Sequence, residues 1–246
     1  MNGSGAAGKI KRYILVVDDN VDDRFGISMV LQQFDYAVCT ANSAGEALEF
    51  MLVAPPAAIV SEGGPIGTTL ISRLKKDPRL SDVPVVFVAG SPSADLEART
   101  RRGEFAAFLK KPLNVEEFYR VIQAAMEKTP RRNIRFAVFL KATIENVGEG
   151  GEGYVTVLSE SGMFYKTLDP QARNARLTVN LEINDRRMQV EASVVSSYSF
   201  EESPFKEPGM GMKFVKIGPD DQAYIKAFIH EQLEKGMPKR NDPSPS

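Results

Sequence analysis

The sequence has little of the chemistry that many enzymes and metal proteins depend on: its 246 residues include one cysteine, one histidine and no tryptophan. A lone Cys39 excludes an internal disulfide and a cysteine-based zinc cluster, and a lone His230 weakens any catalytic or metal-binding role that needs histidine. No apolar run reaches the roughly 18 residues that a bilayer-spanning helix needs, and the amino-terminal segment has no signal-peptide core. We therefore expect a cytoplasmic protein without membrane insertion.

The charge of the chain is nearly balanced, with 31 Lys and Arg against 32 Asp and Glu. This balance does not favour binding to nucleic acid. The sequence also shows no nucleophile–base pair and no phosphate-cradling P-loop, so we predict a protein that is not an enzyme and has no catalytic residues. Its 43% of hydrophobic residues is enough for two cores.

Short apolar runs alternate with helical patterns through the first half of the chain. The first run, Tyr13–Val17, is rich in β-branched residues and suits a buried parallel strand. Five such alternations predict a doubly wound, five-stranded parallel sheet with helices on both faces. In the first helix, Phe25, Met29, Val30 and Phe34 recur with a helical period, which predicts that they form its buried face.

After Pro130 the pattern changes to closely spaced strands with polar turns, followed by one helix after Pro219. This pattern predicts an antiparallel β-barrel with a carboxy-terminal helix. We place the two domains at residues 11–128 and 131–235. Residues 1–10 and 236–246, which are rich in small, polar and charged residues, are expected to be disordered.

Charged residues follow the first and fifth predicted strands, where the carboxyl ends of parallel strands meet at one edge of a sheet. Asp18 and Asp19 lie in the motif Ile14–Asn20, and Lys111 lies in the motif Lys110–Leu113. Over about residues 11–128 the chain resembles the receiver domain of bacterial response regulators. The resemblance implies a phosphoacceptor pocket at this edge of the sheet.

The pocket departs from the receiver pattern at two positions. The family has an aspartate at the end of the third strand, where this chain has Glu62, or Ser61 if the short loop shifts the alignment. Ala89 stands where the family has Thr or Ser. We therefore predict a pseudo-receiver, kept for packing or dimerisation, that is not phosphorylated. Two alternatives stay open: Glu62 imitates a permanently charged site paired with Lys111, or the domain is phosphorylated.

The carboxylates of Asp18, Asp19 and Glu62 would repel one another unless a cation or Lys111 neutralised them. Mg²⁺ could serve in this way, but we do not expect it to be resident, and we predict no metal site.

Three motifs in the second half point to a ligand. They are the arginine-rich segment Arg131–Arg135, the segment Leu158–Phe164 with a Ser-x-x-Gly turn, and the closing strand Gly209–Phe214. Together they resemble the PilZ domain, a family of cyclic di-GMP receptors, over about residues 131–235.

The resemblance implies a cyclic di-GMP site formed by Arg131, Arg132, Arg135, Ser159 and Gly162. A guanidinium group suits this ligand because it binds guanine or phosphate through two hydrogen bonds and stacks on a purine. We expect Ser159 to offer its hydroxyl at the barrel surface and Gly162 to allow a purine to approach closely.

One residue departs from the PilZ pattern, since Val157 stands where the family has Asp or Asn. The lost acceptor would cost about 1–3 kcal/mol, or roughly tenfold to a hundredfold in affinity. Whether Val157 abolishes binding is left open by the sequence.

The two resemblances predict a bacterial signalling adaptor that binds cyclic di-GMP and regulates a protein partner in motility, polarity or exopolysaccharide output. A homodimer formed through the receiver-like half is compatible with them. The alternative is a ligand-free protein–protein interaction adaptor in which both domains are degenerate.

Overall fold

The computed structural model describes residues 13–90, 94–127, 133–145, 151–201 and 207–236. They form two compact units, an α/β unit before residue 133 and a β-rich unit over Asn133–Gln232. The predicted fold class is confirmed: a five-stranded parallel sheet with helices precedes a closed antiparallel barrel and a final helix. The limits 11–128 and 131–235 stay predictions. Residues 1–10 and 237–246, expected to be disordered, lie outside the described residues, whereas Gly236, also expected to be disordered, is the last residue of the final helix.

The α/β unit alternates strand and helix along its length. Its elements are β1 (Tyr13–Val17), α1 (Val21–Gln33), β2 (Ala37–Ala41), α2 (Ala44–Val53), β3 (Ala58–Glu62), α3 (Pro65–Leu74), β4 (Val85–Ala89), α4 (Ala94–Arg101), β5 (Ala107–Lys110) and α5 (Val115–Met126). The strands pair in parallel in the order β2-β1-β3-β4-β5. In this doubly wound order the strand ends beside β1 and β3 form the place where ligands and charged groups collect.

Polar side chains fix where three of these helices begin. The Asn20 side chain accepts from the amides of Asp22 and Asp23, Ser43 Oγ accepts from the Glu46 amide, and Asn114 caps α5. Each bond satisfies a first-turn amide that has no partner within its helix. The start of α1 is thereby held directly after the acidic end of β1.

The buried face of α1 differs from the prediction. Phe25 and Met29 are 65% and 37% exposed, whereas Ile27, Val30 and Leu31 are buried. The prediction was wrong for Phe25 and Met29 because α1 carries apolar residues on both sides, and periodicity alone cannot tell which side meets the sheet.

The β-rich unit is a closed six-stranded barrel. Its elements are β6 (Phe136–Ile144), β7 (Glu152–Ser159), β8 (Gly162–Lys166), β9 (Arg176–Ile183), β10 (Arg186–Tyr198), β11 (Gly209–Lys216) and α6 (Pro219–Gly236). The ring order is β10-β11-β8-β7-β6-β9, and β9 also pairs with β10. Alternate residues such as Val155, Met163 and Tyr165 fill the interior. None of the described helices is both long enough and apolar enough to cross a membrane.

Candidate functional site

The first candidate site lies at the edge of the parallel sheet where β1 and β5 end. The ammonium group of Lys111 lies 3.4 Å from Asp18 Oδ2 and 2.6 Å from Asp23 Oδ2. Asp18 is only 3% exposed, and Asp19 beside it is exposed. The structure thus brings Asp18 and Lys111 together as predicted. It adds Asp23, which the sequence reasoning missed although its place in the first turn of α1 gave a signal.

Burial dominates the electrostatics of Asp18 and raises its pKa above the ordinary carboxyl value. The Asn20 amide and the Lys111 ammonium act in the opposite direction. Lys111 therefore lies between two carboxylates, one of them buried, and its single charge offsets one of their two negative charges.

Glu62 is the last residue of β3, but its carboxylate turns toward the start of α3. Its Oε2 accepts from the Gly64 amide at 2.7 Å and its Oε1 accepts from the Ile66 amide at 3.2 Å. Glu62 thus caps α3, a helix whose immediate N-cap residue, Gly64, has no side chain to do so. The alternative of an ion pair between Glu62 and Lys111 does not hold in this structure, since the two groups contact other partners.

Ser61, the other residue considered for the acceptor position, is 1% exposed. Its hydroxyl donates to the Glu62 carbonyl oxygen at 3.2 Å. Its side chain is therefore inside the unit, whereas Glu62 reaches the rim of the sheet.

Ala89 ends β4 beneath the chain that leaves β3. A Cβ placed on Gly63 would lie 3.0 Å from the Ala89 Cβ and 3.2 Å from Leu96 Cδ1. Phe108 on β5 is the next neighbour, at 3.8 Å. The loop therefore passes over Ala89 with little room for a larger side chain at position 89. A Thr or Ser at this position would crowd the short loop.

The acidic residues at this edge do not form a metal-binding set. In the described part of the chain, no three His, Cys, Asp or Glu side chains are placed to hold a metal ion. Lys111 supplies a positive charge between Asp18 and Asp23, and Glu62 is directed to backbone amides instead. The arrangement of Asp18, Asp19 and Glu62 thus does not fit Mg²⁺.

The second candidate site lies where β7 turns into β8. Ser159 pairs with Gly162 across a two-residue turn formed by Glu160 and Ser161. Ser159 is 9% exposed, and its Oγ donates to the Gly162 carbonyl oxygen at 3.0 Å. The hydroxyl is thus bonded within the hairpin, whereas the sequence predicts a hydroxyl offered to a ligand at the barrel surface. Because Ser159 follows the inward-facing Leu158, the strand alternation places it on the outer face of the barrel.

Gly162 has a packing role of its own. A Cβ at this position would collide with the Met212 carbonyl oxygen and lie 3.3 Å from the Lys213 Cα on β11. Glycine is therefore required by the approach of two strands, whether or not a purine also approaches it.

The segment before β6 is tied to the same turn. Asn133 Nδ2 donates to Ser161 Oγ at 2.8 Å. Sequence reasoning missed both residues, since a lone Asn between arginines and a lone Ser in a turn carry no recognisable spacing. This bond holds the start of the segment beside the hairpin.

Strand register places Arg135 next to Ser159. Phe136 pairs with Leu158 in the antiparallel β6–β7 ladder, so the preceding Arg135 lies level with Ser159 one step further along. Arg135 is exposed. Arg131 and Arg132, the other two predicted ligand-binding arginines, lie outside the described residues.

Val157 lies in a cross-strand row of apolar residues, paired with Ala137 on β6 and Phe164 on β8. All three are partly exposed. The position where the PilZ pattern has an acceptor is therefore flanked by apolar side chains on both sides.

The described residues thus form a five-stranded doubly wound unit followed by a closed barrel that carries the Ser-x-x-Gly motif. Residues 129–231 match the family model described as "PilZ domain". The chain therefore contains a PilZ domain, and its amino-terminal half matches response-regulator receiver domains.

Among curated relatives, the chain is similar to "Two-component response regulator ORR6" of Oryza sativa subsp. japonica, at 28% identity over 48% of this chain and 72% of the relative. It is 29% identical to "Histidine kinase P4" of Formosa agariphila over 52% of this chain, but spans only 10% of that protein. Among solved structures, Vibrio cholerae chemotaxis protein CheY4 matches at 23% identity with a TM-score of 0.44, covering 47% of this chain and 99% of that one.

Proposed function

We propose that the protein is a signalling adaptor whose barrel binds cyclic di-GMP and whose receiver unit is not phosphorylated. The observation that carries the first part is the register that sets Arg135 beside Ser159, with the Asn133–Ser161 bond holding the preceding segment at the same turn. One end of the barrel thus carries Arg135, Ser159 and Gly162, three of the five residues that the resemblance to PilZ domains implies for the ligand.

The contacts suggest how the binding energy is divided. The Ser159 hydroxyl donates its hydrogen bond to the Gly162 carbonyl oxygen, so it can only accept a hydrogen bond from a ligand. Arg135 is exposed and carries a charged, planar donor group that matches phosphate and guanine. We expect Arg135, together with Arg131 and Arg132, to contribute more than Ser159.

Calorimetric titration of the full chain with cyclic di-GMP tests this proposal. The unsubstituted protein should give saturable heat, and Arg135→Ala should weaken the affinity at least about tenfold, as expected for a lost charged hydrogen bond. Arg187→Ala is a matched control, because Arg187 is an exposed barrel arginine bonded to Glu182. Absence of heat at high micromolar ligand, or equal losses in both variants, would count against binding at this site.

A second variant tests how Val157 affects the affinity for cyclic di-GMP. Val157→Asp restores the acceptor that the PilZ pattern has at this position. We expect it to tighten binding by about tenfold, since a buried guanine donor would regain its partner. Weaker binding than in the unsubstituted protein would indicate that the apolar row is part of the ligand site.

The second part of the proposal rests on the pocket at the sheet edge. The Glu62 carboxylate is bonded to the first turn of α3, and the loop at Gly63 leaves little room over Ala89. Incubation with acetyl phosphate and Mg²⁺, followed by intact mass measurement, should show no phosphoryl adduct. Labelling that disappears in Glu62→Ala would overturn this part.

A ligand-free interaction adaptor is the second candidate, and two observations favour it. Val157 lies in an apolar row, and the Ser159 hydroxyl is bonded internally. This candidate predicts no cyclic di-GMP heat either in the unsubstituted protein or after Arg135→Ala. In both cases we propose that the output is regulation of a protein partner, of the kind found in motility, polarity or exopolysaccharide systems.

A further inference from the structure

A surface cavity of about 340 Å³ lies at the opposite end of β7 from the Arg135–Ser159 site. Tyr154, which lines it, is five residues from Ser159, or about 16 Å along the strand. The cavity lining includes Glu152, Tyr154, Lys166, Leu168, Asp169 and Pro208. It is thus a separate feature of the barrel, and none of the residues predicted from the motifs takes part in it.

One wall of the cavity is aromatic and apolar. The ring of Tyr154 stacks on that of Phe139, with centroids 4.4 Å apart and planes 15° apart. Phe139 is 71% exposed and Leu168 is 83% exposed. Large apolar side chains that are this exposed are typical of contact surfaces, and the face of an aromatic ring such as that of Tyr154 favours positive charge.

The charge at the rim is negative. Lys166, a cation on the rim, is paired with Glu207, with Nζ 2.9 Å from Oε1. Among the residues that the structure describes, Glu152 and Asp169 make no ion pair. Lys141 lies opposite Tyr154 on β6, whereas the cavity opens on the β8 side. The cavity therefore places two unneutralised carboxylates beside an aromatic ring.

We propose that this cavity binds an arginine side chain presented by a partner protein. A guanidinium group stacks on an aromatic face and donates to carboxylates through a planar fork. Its aliphatic stem would cover Leu168 and Pro208. A volume of about 340 Å³ lies within the range of small-ligand sites and is sufficient for one such side chain.

The test uses the full chain and a short glycine-rich peptide that carries one tryptophan and one arginine. Because the protein has no tryptophan, the peptide fluorescence anisotropy reports binding without background. Matched peptides carry citrulline, which has the same shape without the charge, or lysine. We expect the arginine peptide to bind at least about threefold more tightly than the citrulline peptide, since an exposed cation–π contact is of that size. It should also bind more tightly than the lysine peptide, whose ammonium group lacks the planar fork.

Variants locate the site. Tyr154→Ala and Asp169→Asn should each weaken binding of the arginine peptide by about threefold, and Tyr154→Phe, which keeps the ring, should not. Leu168→Ala should fold normally, because a side chain that is 83% exposed contributes little to the core. It should weaken binding of the arginine peptide by about twofold. Asp185→Asn, at an exposed turn, is the control.

Equal binding of the arginine, lysine and citrulline peptides would overturn the proposal. So would unchanged binding in both Tyr154→Ala and Asp169→Asn. Tyr154→Ala should leave cyclic di-GMP titrations unaltered, and Arg135→Ala should leave peptide binding unaltered, so that the failure of one site does not count as failure of the other.

Discussion

Asp18 and Glu62 end neighbouring strands of one sheet, yet their carboxylates meet different partners. Asp18 is buried and faces an ammonium group. Glu62 reaches the rim and accepts two backbone amides. Residues at matching strand ends can thus acquire opposite roles, one as part of a charged cluster and the other as a helix cap.

Asp18→Asn tests the cost of that buried charge. Burial raises the pKa of Asp18 above its ordinary value of 3.8, so the folded protein holds this proton at a pH where the unfolded chain has lost it. The destabilising contribution is absent below the ordinary value and grows as the pH rises through the raised folded value. We expect the variant to have a higher urea midpoint than the unsubstituted protein at pH 7, with the difference shrinking in acid.

Asp19→Asn, at the exposed neighbour, should leave the urea midpoint unchanged at both pH values. A lower midpoint for Asp18→Asn at neutral pH would show that the attraction of Lys111 for Asp18 exceeds the cost of burial.

Helix α3 approaches the sheet at a position that excludes any side chain. A Cβ on Gly67 would collide with the Glu62 carbonyl oxygen and with the Phe87 ring. The close approach lets Leu70, Ile71 and Leu74 of α3 join the buried core.

Gly67→Ala should destabilise the protein by about 1–3 kcal/mol, because a tightly packed interface must move to admit a methyl group. Gly45→Ala in α2 is the matched control, since its nearest neighbour would be Ser43 Oγ at 3.9 Å. There alanine should be neutral or stabilising by about 0.4–1 kcal/mol. Urea unfolding of both variants measures this difference in stability. Equal midpoints for Gly67→Ala and Gly45→Ala would contradict the packing argument.

In the barrel, the phenol of Tyr165 holds two neighbouring strands together. Its hydroxyl lies 2.8 Å from the Gly151 carbonyl oxygen and 3.2 Å from that of Ala142, so it joins the ends of β6 and β7 from inside. Burial raises the pKa of Tyr165 to about 12.

Tyr165→Phe should therefore have two effects. At neutral pH it should cost about 1–2 kcal/mol, because buried carbonyl groups lose their donor. Between pH 10 and about pH 12 the Tyr165 phenol ionises in the unfolded chain but keeps its proton in the folded barrel. The free energy of unfolding of the unsubstituted protein therefore falls as the pH rises through this range. The variant lacks this phenol and should lose less stability. Thermal melts of Tyr165→Phe and of the unsubstituted protein across this pH range, with Tyr154→Phe as control, test this expectation. Melting temperatures that fall equally with pH in both proteins would refute it.

Elements were more predictable than the contacts between them. The strand Tyr13–Val17 was predicted to the residue because three of its five side chains are β-branched and the other two are a tyrosine and a leucine. The hydrogen bond of the Ser159 hydroxyl within the hairpin and the helix-capping role of Glu62 were not predicted, since both depend on which of several nearby partners a flexible polar group meets after folding. The apolar face of α1 was misjudged because both of its sides are apolar.

At the scale of the whole chain, the two compact units predict that each half folds without the other. We expect fragments 11–128 and 131–235, produced separately, each to unfold in a single cooperative transition, because each contains its own buried core. Calorimetry of both fragments and the full chain checks this. A fragment without a transition would show that its predicted limits remove part of a core.

The barrel closes because β9 pairs with β6 on one side and β10 on the other. An extended peptide from another molecule needs free main-chain donors and acceptors to add itself as a further strand, and at Ala142–Ile144 of β6 the pairing with β9 occupies them. Recognition along this part of the barrel must therefore depend on side chains, and the same closure protects it from strand-by-strand growth into fibrils.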